Sequence, residues 1–218
     1  MRKTLGSLML GLASAVLIAP SLAAQTWYFP DFALPSSTGE PSTWIAGTYG
    51  RGLNDASGEV DAFGAAIGRT AERVTVMGAF GYIAEDEEEY TAGASLSVDL
   101  NSGDGPRLSA QVGVGWIDFD FMDETVTFWR FPIGLALKGN MGSETTTVMP
   151  WVMPRVNIAH FTGAGDSETE TDFGASGGVS ITMENGFGFH GALDALFAEG
   201  DTIFQLGLGI HFVLGPRN

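Results

Sequence analysis

The 218-residue chain contains no cysteine, which removes disulfide frameworks and thiolate chemistry, catalytic or metal-binding, from consideration. Long apolar runs are missing as well. Beyond the first two dozen residues nothing approaches 18 consecutive apolar side chains, so the remainder holds no membrane-spanning helix. Positive charge is scarce, with 10 Lys and Arg against 26 Asp and Glu, and Lys138 is the one lysine after Lys3. Phosphate backbones need basic side chains, so nucleic acid is excluded as a partner. Charged residues of both signs reach only 17%, below the roughly 25% of a typical soluble domain.

What is present starts with a leader. Arg2 and Lys3 precede an uncharged apolar stretch at 5–19, and Pro20 is followed by Ser21, Leu22, Ala23 and Ala24. This is the pattern of a secretory signal peptide over 1–24, cleaved after Ala23 or Ala24. The apolar stretch is shorter than the roughly 20 residues a spanning helix needs. Residues 25–42, rich in Pro, Ser and aromatics, read as a non-strand leader to the folded unit at 43–218.

That unit alternates. In 107–117, Leu108, Ala110, Val112, Val114 and Trp116 share one side of an extended chain, and Ser109, Gln111, Gly113 and Gly115 share the other. Similar segments fall at 43–53, 60–70, 74–84, 90–100, 107–117, 126–137, 145–161, 172–183, 187–197 and 202–213, which predicts an all-β, antiparallel, up-and-down meander of ten strands. Eight strands with one hairpin outside the wall is the alternative, with 43–53 and 145–161 the segments in question. The odd connections are acidic (NDASGE, EDEEE, DFDFMDET, GAGDSETET, EGD), whereas the even ones are less so and are flanked by Arg69, Arg73, Arg107 and Lys138. Asn185-Gly186 reads as a two-residue hairpin turn.

The second face decides what the large apolar face touches. Phe204, Leu206, Leu208, Ile210 and Phe212 oppose Gln205, Gly207, Gly209 and His211, and elsewhere too the second face is Gly, Ser, Ala and Thr. A water-facing surface would carry Lys and Glu there. A narrow closed barrel in lipid accounts for both faces, with large residues outward and small or polar ones in a crowded lumen. Trp44, Tyr82, Tyr90, Trp116, Phe128, Trp129, Phe187, Phe197 and Phe212 fall mostly near strand ends, where bilayer interfaces would lie. Pro132, Pro150 and Pro154 predict bulges or bends in their strands. A soluble periplasmic barrel is the non-membrane alternative.

With these features the chain resembles the small outer-membrane β-barrel proteins of Gram-negative bacteria, the group with the outer-membrane protein A type transmembrane domain. The final strand carries that group's assembly pattern: Gln205, then Gly207, then Ile210 and Phe212, although VLGPRN follows where the aromatic is usually terminal. The resemblance implies an outer-membrane location, a periplasmic 25–42, acidic odd loops outside, and as partners the barrel-assembly machinery and outer-membrane lipid and lipopolysaccharide. It implies no cofactor.

Three chemistries then compete. Glu87, Glu88 and Glu89, with Glu85 and Asp86, form one acidic run, and Asp166, Glu168, Glu170 and Asp172 alternate in another; both are candidates for divalent cations through oxygen ligands, against a solvated repelling surface. Gln111, Arg130, Arg155, Asn157, His190, Asp194 and Gln205 face inward by parity. They line either a small passive channel or a polar plug, the arginines meeting carboxylates such as Asp194 or Asp99. Catalysis would rest on His160 with loop acids, or on the same-face pair His190 and Asp194. No nucleophile motif accompanies either, so the expectation is a non-enzyme with a structural or surface-interacting role.

Overall fold

A computed structural model describes residues 41–57, 60–84, 88–102, 105–121, 124–143, 145–163, 166–198 and 201–214. The signal peptide, nearly all of the 25–42 leader and Glu87 lie outside these residues. The strands are β1 (Ser42–Gly52), β2 (Asp61–Ala71), β3 (Val74–Ala84), β4 (Glu88–Asp99), β5 (Arg107–Phe121), β6 (Glu124–Lys138), β7 (Met141–Ser143), β8 (Thr146–Gly163), β9 (Asp166–Met183), β10 (Phe187–Ala198) and β11 (Asp201–Leu214). Sequence neighbours pair antiparallel except β6 and β7, which both pair with β8, and β1 pairs with β11 from Thr43↔Leu214 to Gly52↔Gln205, which closes the wall. The three-residue β7 keeps the β6–β8 register after Gly139 and Asn140, so it prolongs the edge of β6 and the barrel has ten strands.

Burial is inverted relative to a soluble domain. Phe63, Ile67, Phe80, Phe173 and Leu193 are each at least half exposed on the outer face, while Gln111, Arg130, Arg155, Asn157, Asp194, Gln205 and His211 are buried inside. Period-two alternation on a closed wall produces this directly, because every second side chain must enter the lumen.

Several elements depart from the sequence expectation. β9 starts at Asp166 and β5 runs to Phe121, so most of GAGDSETET and DFDFMDET is strand rather than loop. The β9–β10 ladder ends at Phe197↔Phe173, whereas β8–β9 continues to Gly163↔Asp166. The 15-residue β5 and β6 and the 18-residue β8 and β9 overshoot the 11-residue β1 to β3, raising one side of the wall at its acidic end. Trp44 and Phe128 are 1% and 3% exposed and point inward, not to an interface. At Pro132 and Pro154 ladder pairs drop out, but the register is the same on both sides (Val112↔Ile133 and Gly115↔Arg130; Gly134↔Arg155 and Leu137↔Val152), so no bulge forms. Proline removes a donor without inserting a residue.

The Asn185-Gly186 turn is longer than two residues. Thr182 pairs with Gly188, Gly186 N donates to Met183 O, and Gly186 alone of the two has positive φ, at 87°. Both residues of a type I′ turn need φ > 0; a three-residue loop with glycine in the left-handed position needs it once. A Cβ there would also stand 2.5 Å from Val213 O. Gly186→Ala is expected to cost about 1–2 kcal/mol, read from urea unfolding of the folded barrel.

Candidate functional site

The lumen holds three polar layers. At the end where β1 begins and β11 finishes, Asp99 accepts from Ser109 Oγ at 2.6 Å and lies 3.6 Å from Arg107 Nη1 and 3.9 Å from Lys138 Nζ. Trp44 and Trp151 fill space beside this layer, Trp44 lying over Gly68, whose Cβ would stand 2.2 Å from its ring. Asp99 is thus committed away from both interior arginines expected as its partners.

Towards the acidic end, Arg155 donates from Nη1 and Nη2 to the two oxygens of Asp194 at 2.6 and 2.7 Å, and Ser176 Oγ donates to the same carboxylate at 2.5 Å. Asn157 Oδ1 accepts from Arg155 Nε at 3.2 Å and from Arg130 Nε and Nη2 at 3.2 and 3.1 Å. A planar fork against a carboxylate suits arginine rather than lysine. Gly174 makes the room: its Cβ would stand 3.1 Å from Arg155 Cζ. Beyond this layer Phe128 and Phe161, with Arg130, Asn157, Glu170 and Asp172, line a cavity of ≈ 30 Å³, space for about one or two waters.

Between these layers His190 meets His211, not Asp194 as the shared face implied. His160 also departs from its proposed role. It sits on the outer face, bonded to Thr169 Oγ1 at 2.8 Å and Thr162 Oγ1 at 3.3 Å, whereas Glu170 and Asp172 face the lumen. The wall separates the histidine from those acids. Glu168 shares the lumen parity of Glu170, and Glu89 lies on β4, far around the barrel; the side chains of Glu88 and Asp166 lie outside the described residues. Among the described residues no three metal-ligating side chains converge.

On the outer face the apolar belt ends in aromatics at the acidic side: Tyr49 against Phe63 at 5.5 Å, Tyr82 against Tyr90 at 5.6 Å, and Trp116 beside Trp129 in register. Polar pairs follow at once, with Tyr49 Oη donating to Asp61 at 2.7 Å, Arg51 3.5 Å from Asp61, and Thr127 donating to Asp118 at 2.6 Å. On β11, Gln205 and Gly207 face the lumen while Ile210 and Phe212 lie in the belt.

Sequence reasoning put Ser109 and His211 on the inward face without naming them as site residues, and missed Lys138 as a lumen residue. Parity held the signal, since Lys138 shares the phase of Arg130 and His211 that of Gln205.

No family model matches the chain, and no curated protein matches it. Among solved structures it is similar to the N-terminal β-barrel domain of OprF from Pseudomonas aeruginosa, at 15% identity and TM-score 0.41, covering 81% of this chain and 99% of that one. It is similar to the translocator domain of the autotransporter NalP from Neisseria meningitidis, at 14% identity and TM-score 0.44, covering 95% and 96%. A third likeness is the outer-membrane protease OmpT from Escherichia coli, at 8% identity and TM-score 0.39, covering 84% and 99%.

Proposed function

We propose that the chain is an integral outer-membrane barrel with a closed lumen and a structural or surface-interacting role, its tall acidic side facing out of the cell. The inverted burial carries this reading: an unbroken apolar belt outside and ion pairs inside suit lipid, not water. The Arg155–Asp194 layer and the Asp99 cluster are two plugs in series, each built from groups that would be costly to separate. Outer-membrane lipid and the assembly machinery, through Gln205, Gly207, Ile210 and Phe212, are the partners it needs. The acidic side supports weak attraction of divalent cations rather than a built site.

Detergent should be required for extraction, and unboiled protein should migrate differently from boiled protein on a gel. Planar bilayers containing the purified barrel should stay electrically silent. Discrete conductance steps of stable size would overturn the closed lumen in favour of a small channel. One observation favours that second reading: Asn157 Nδ2, Ser180 Oγ and Gln205 Nε2 are buried without a partner among the described residues, positions that water in the lumen would satisfy.

A further inference from the structure

The apolar belt is not evenly filled. Across β11, β1, β2 and β3 the outer wall sinks into a groove of ≈ 620 Å³, within the roughly 300–1,000 Å³ of small-molecule pockets. One row of the wall reads Ile210, Gly47, Ala65 and Phe80 over these four strands, and the next reads Phe212, Ile45, Ile67 and Gly78. Two small residues stand between two large ones in the first row, and Gly78 opens the second.

The barrel's own packing does not require these glycines. A Cβ on Gly78 would meet nothing within 4 Å, one on Gly47 would meet only Gly64 O at 3.9 Å, and neither glycine has positive φ. Elsewhere a Cβ would collide, on Gly68 with Trp44 at 2.2 Å and on Gly174 with Ala195 O at 2.9 Å. Those glycines make room for the protein's own atoms, whereas Gly47 and Gly78 make room for something outside it.

One end of the groove carries positive charge. On the outer face of β2, Ile67 is followed by Arg69, which lies between Thr43 and Val76, and Arg73 sits in the turn to β3. Both are exposed, whereas Arg107 and Lys138 at the same end turn to Asp99. Among the described residues neither Arg69 nor Arg73 has a carboxylate within ion-pair distance, Glu72 between them included. Along β2 the step from Arg69 to Ala65 is about 14 Å. One leaflet of hydrocarbon is about 15 Å deep, half of the whole core.

We propose that the groove seats an acyl chain of an anionic phospholipid whose phosphate is held by Arg69 and Arg73. The proposal rests on the lipid-facing reading of the belt, and it puts the lipid in the leaflet at the end where β1 begins. The chain covers Gly47, Ala65 and Gly78 with apolar surface, and the guanidinium forks suit phosphate oxygens. A second copy of the barrel fits less well. A two-fold axis along the bilayer normal would set the arginine pair beside its own copy at the same depth, like charge on like.

The test equilibrates the purified barrel in detergent with equal amounts of phosphatidylglycerol and phosphatidylcholine carrying the same chains, and native mass spectrometry weighs the lipid it keeps. Wild type should keep one phosphatidylglycerol in preference to phosphatidylcholine by about fivefold or more. Arg69→Gln/Arg73→Gln should bring the two lipids near parity, and Gly47→Leu/Gly78→Leu should lower retention of both. Gly177→Leu is the control, on β9 away from the groove, where a Cβ makes only ordinary contacts; it should change neither. Equal retention of the two lipids by wild type, or a filled groove that keeps its lipid, would overturn the proposal. A two-chain mass that the filled groove abolishes would overturn it too, making this face a contact between copies. Should the filled groove not fold, phosphatidylglycerol with a photoreactive acyl chain decides on the wild type: attachment concentrated on 43–84 supports the seat, and attachment spread evenly around the belt overturns it. Failure of the membrane reading looks different: a barrel soluble without detergent that keeps neither lipid would overturn both.

Discussion

Arg155→Ala should destabilise the barrel by about 3–5 kcal/mol, the penalty for removing one partner of a buried ion pair. Asp194 would keep the Ser176 hydroxyl but lose both guanidinium bonds, at 7% exposure. Asn157 would lose one of its donors, loosening Arg130 in turn. Urea unfolding followed by gel mobility measures the loss. The double replacement Arg155→Met/Asp194→Leu should recover most of it, because no charge then stays unpaired in the lumen. A loss below about 1 kcal/mol for Arg155→Ala would mean that water solvates Asp194, a condition met only by an open lumen, and the closed-barrel reading would fall with it.

The wall was the part most legible in the sequence. Ten alternating segments correspond to ten wall strands because lipid outside and crowding inside constrain every position, and both faces leave a period-two trace. Strand ends were less legible. At 118–121 Asp alternates with Phe, so the polar residues take over the parity of the apolar wall, and at 163–171 glycine, acidic and hydroxyl residues occupy both parities; neither stretch reads as a continuation of the wall although the β5–β6 and β8–β9 ladders continue.

The lumen was legible in membership and not in partnership. Parity places Arg130, Arg155, Asn157, His190, Asp194 and Gln205 inside; which of them meet depends on stagger between strands, which a single strand's sequence does not record. His190 and Asp194 share a face four residues apart, yet His190 turns across Gly209 and Asp194 towards Arg155. Glycine was the overlooked guide. Gly174, Gly188 and Gly209 sit beneath Arg155, His211 and His190, each leaving space for a large polar ring or fork on the next strand. Trp44 and Phe128 misled for the related reason that an aromatic near a strand end can fill the mouth of a lumen as readily as a bilayer interface.

Leu193→Arg should separate a lipid-facing wall from a water-facing one by the sign of its effect. Leu193 is 57% exposed at the centre of the β10 belt, flanked on its own face by Phe189 and Phe197. In a bilayer the new guanidinium must sit in hydrocarbon or snorkel out, at a cost of about 2–4 kcal/mol near the midplane. In water the same change would remove exposed apolar surface and raise solubility. Thr171→Arg supplies the control, since Thr171 is exposed on the neighbouring strand beyond Phe173, past the end of the β9–β10 ladder. It should cost about 0–1 kcal/mol. Unfolding in phospholipid vesicles should therefore show a large loss for Leu193→Arg and a small one for Thr171→Arg. Equal small losses, with Leu193→Arg remaining folded after detergent removal, would place the belt in water and leave a soluble barrel as the surviving account.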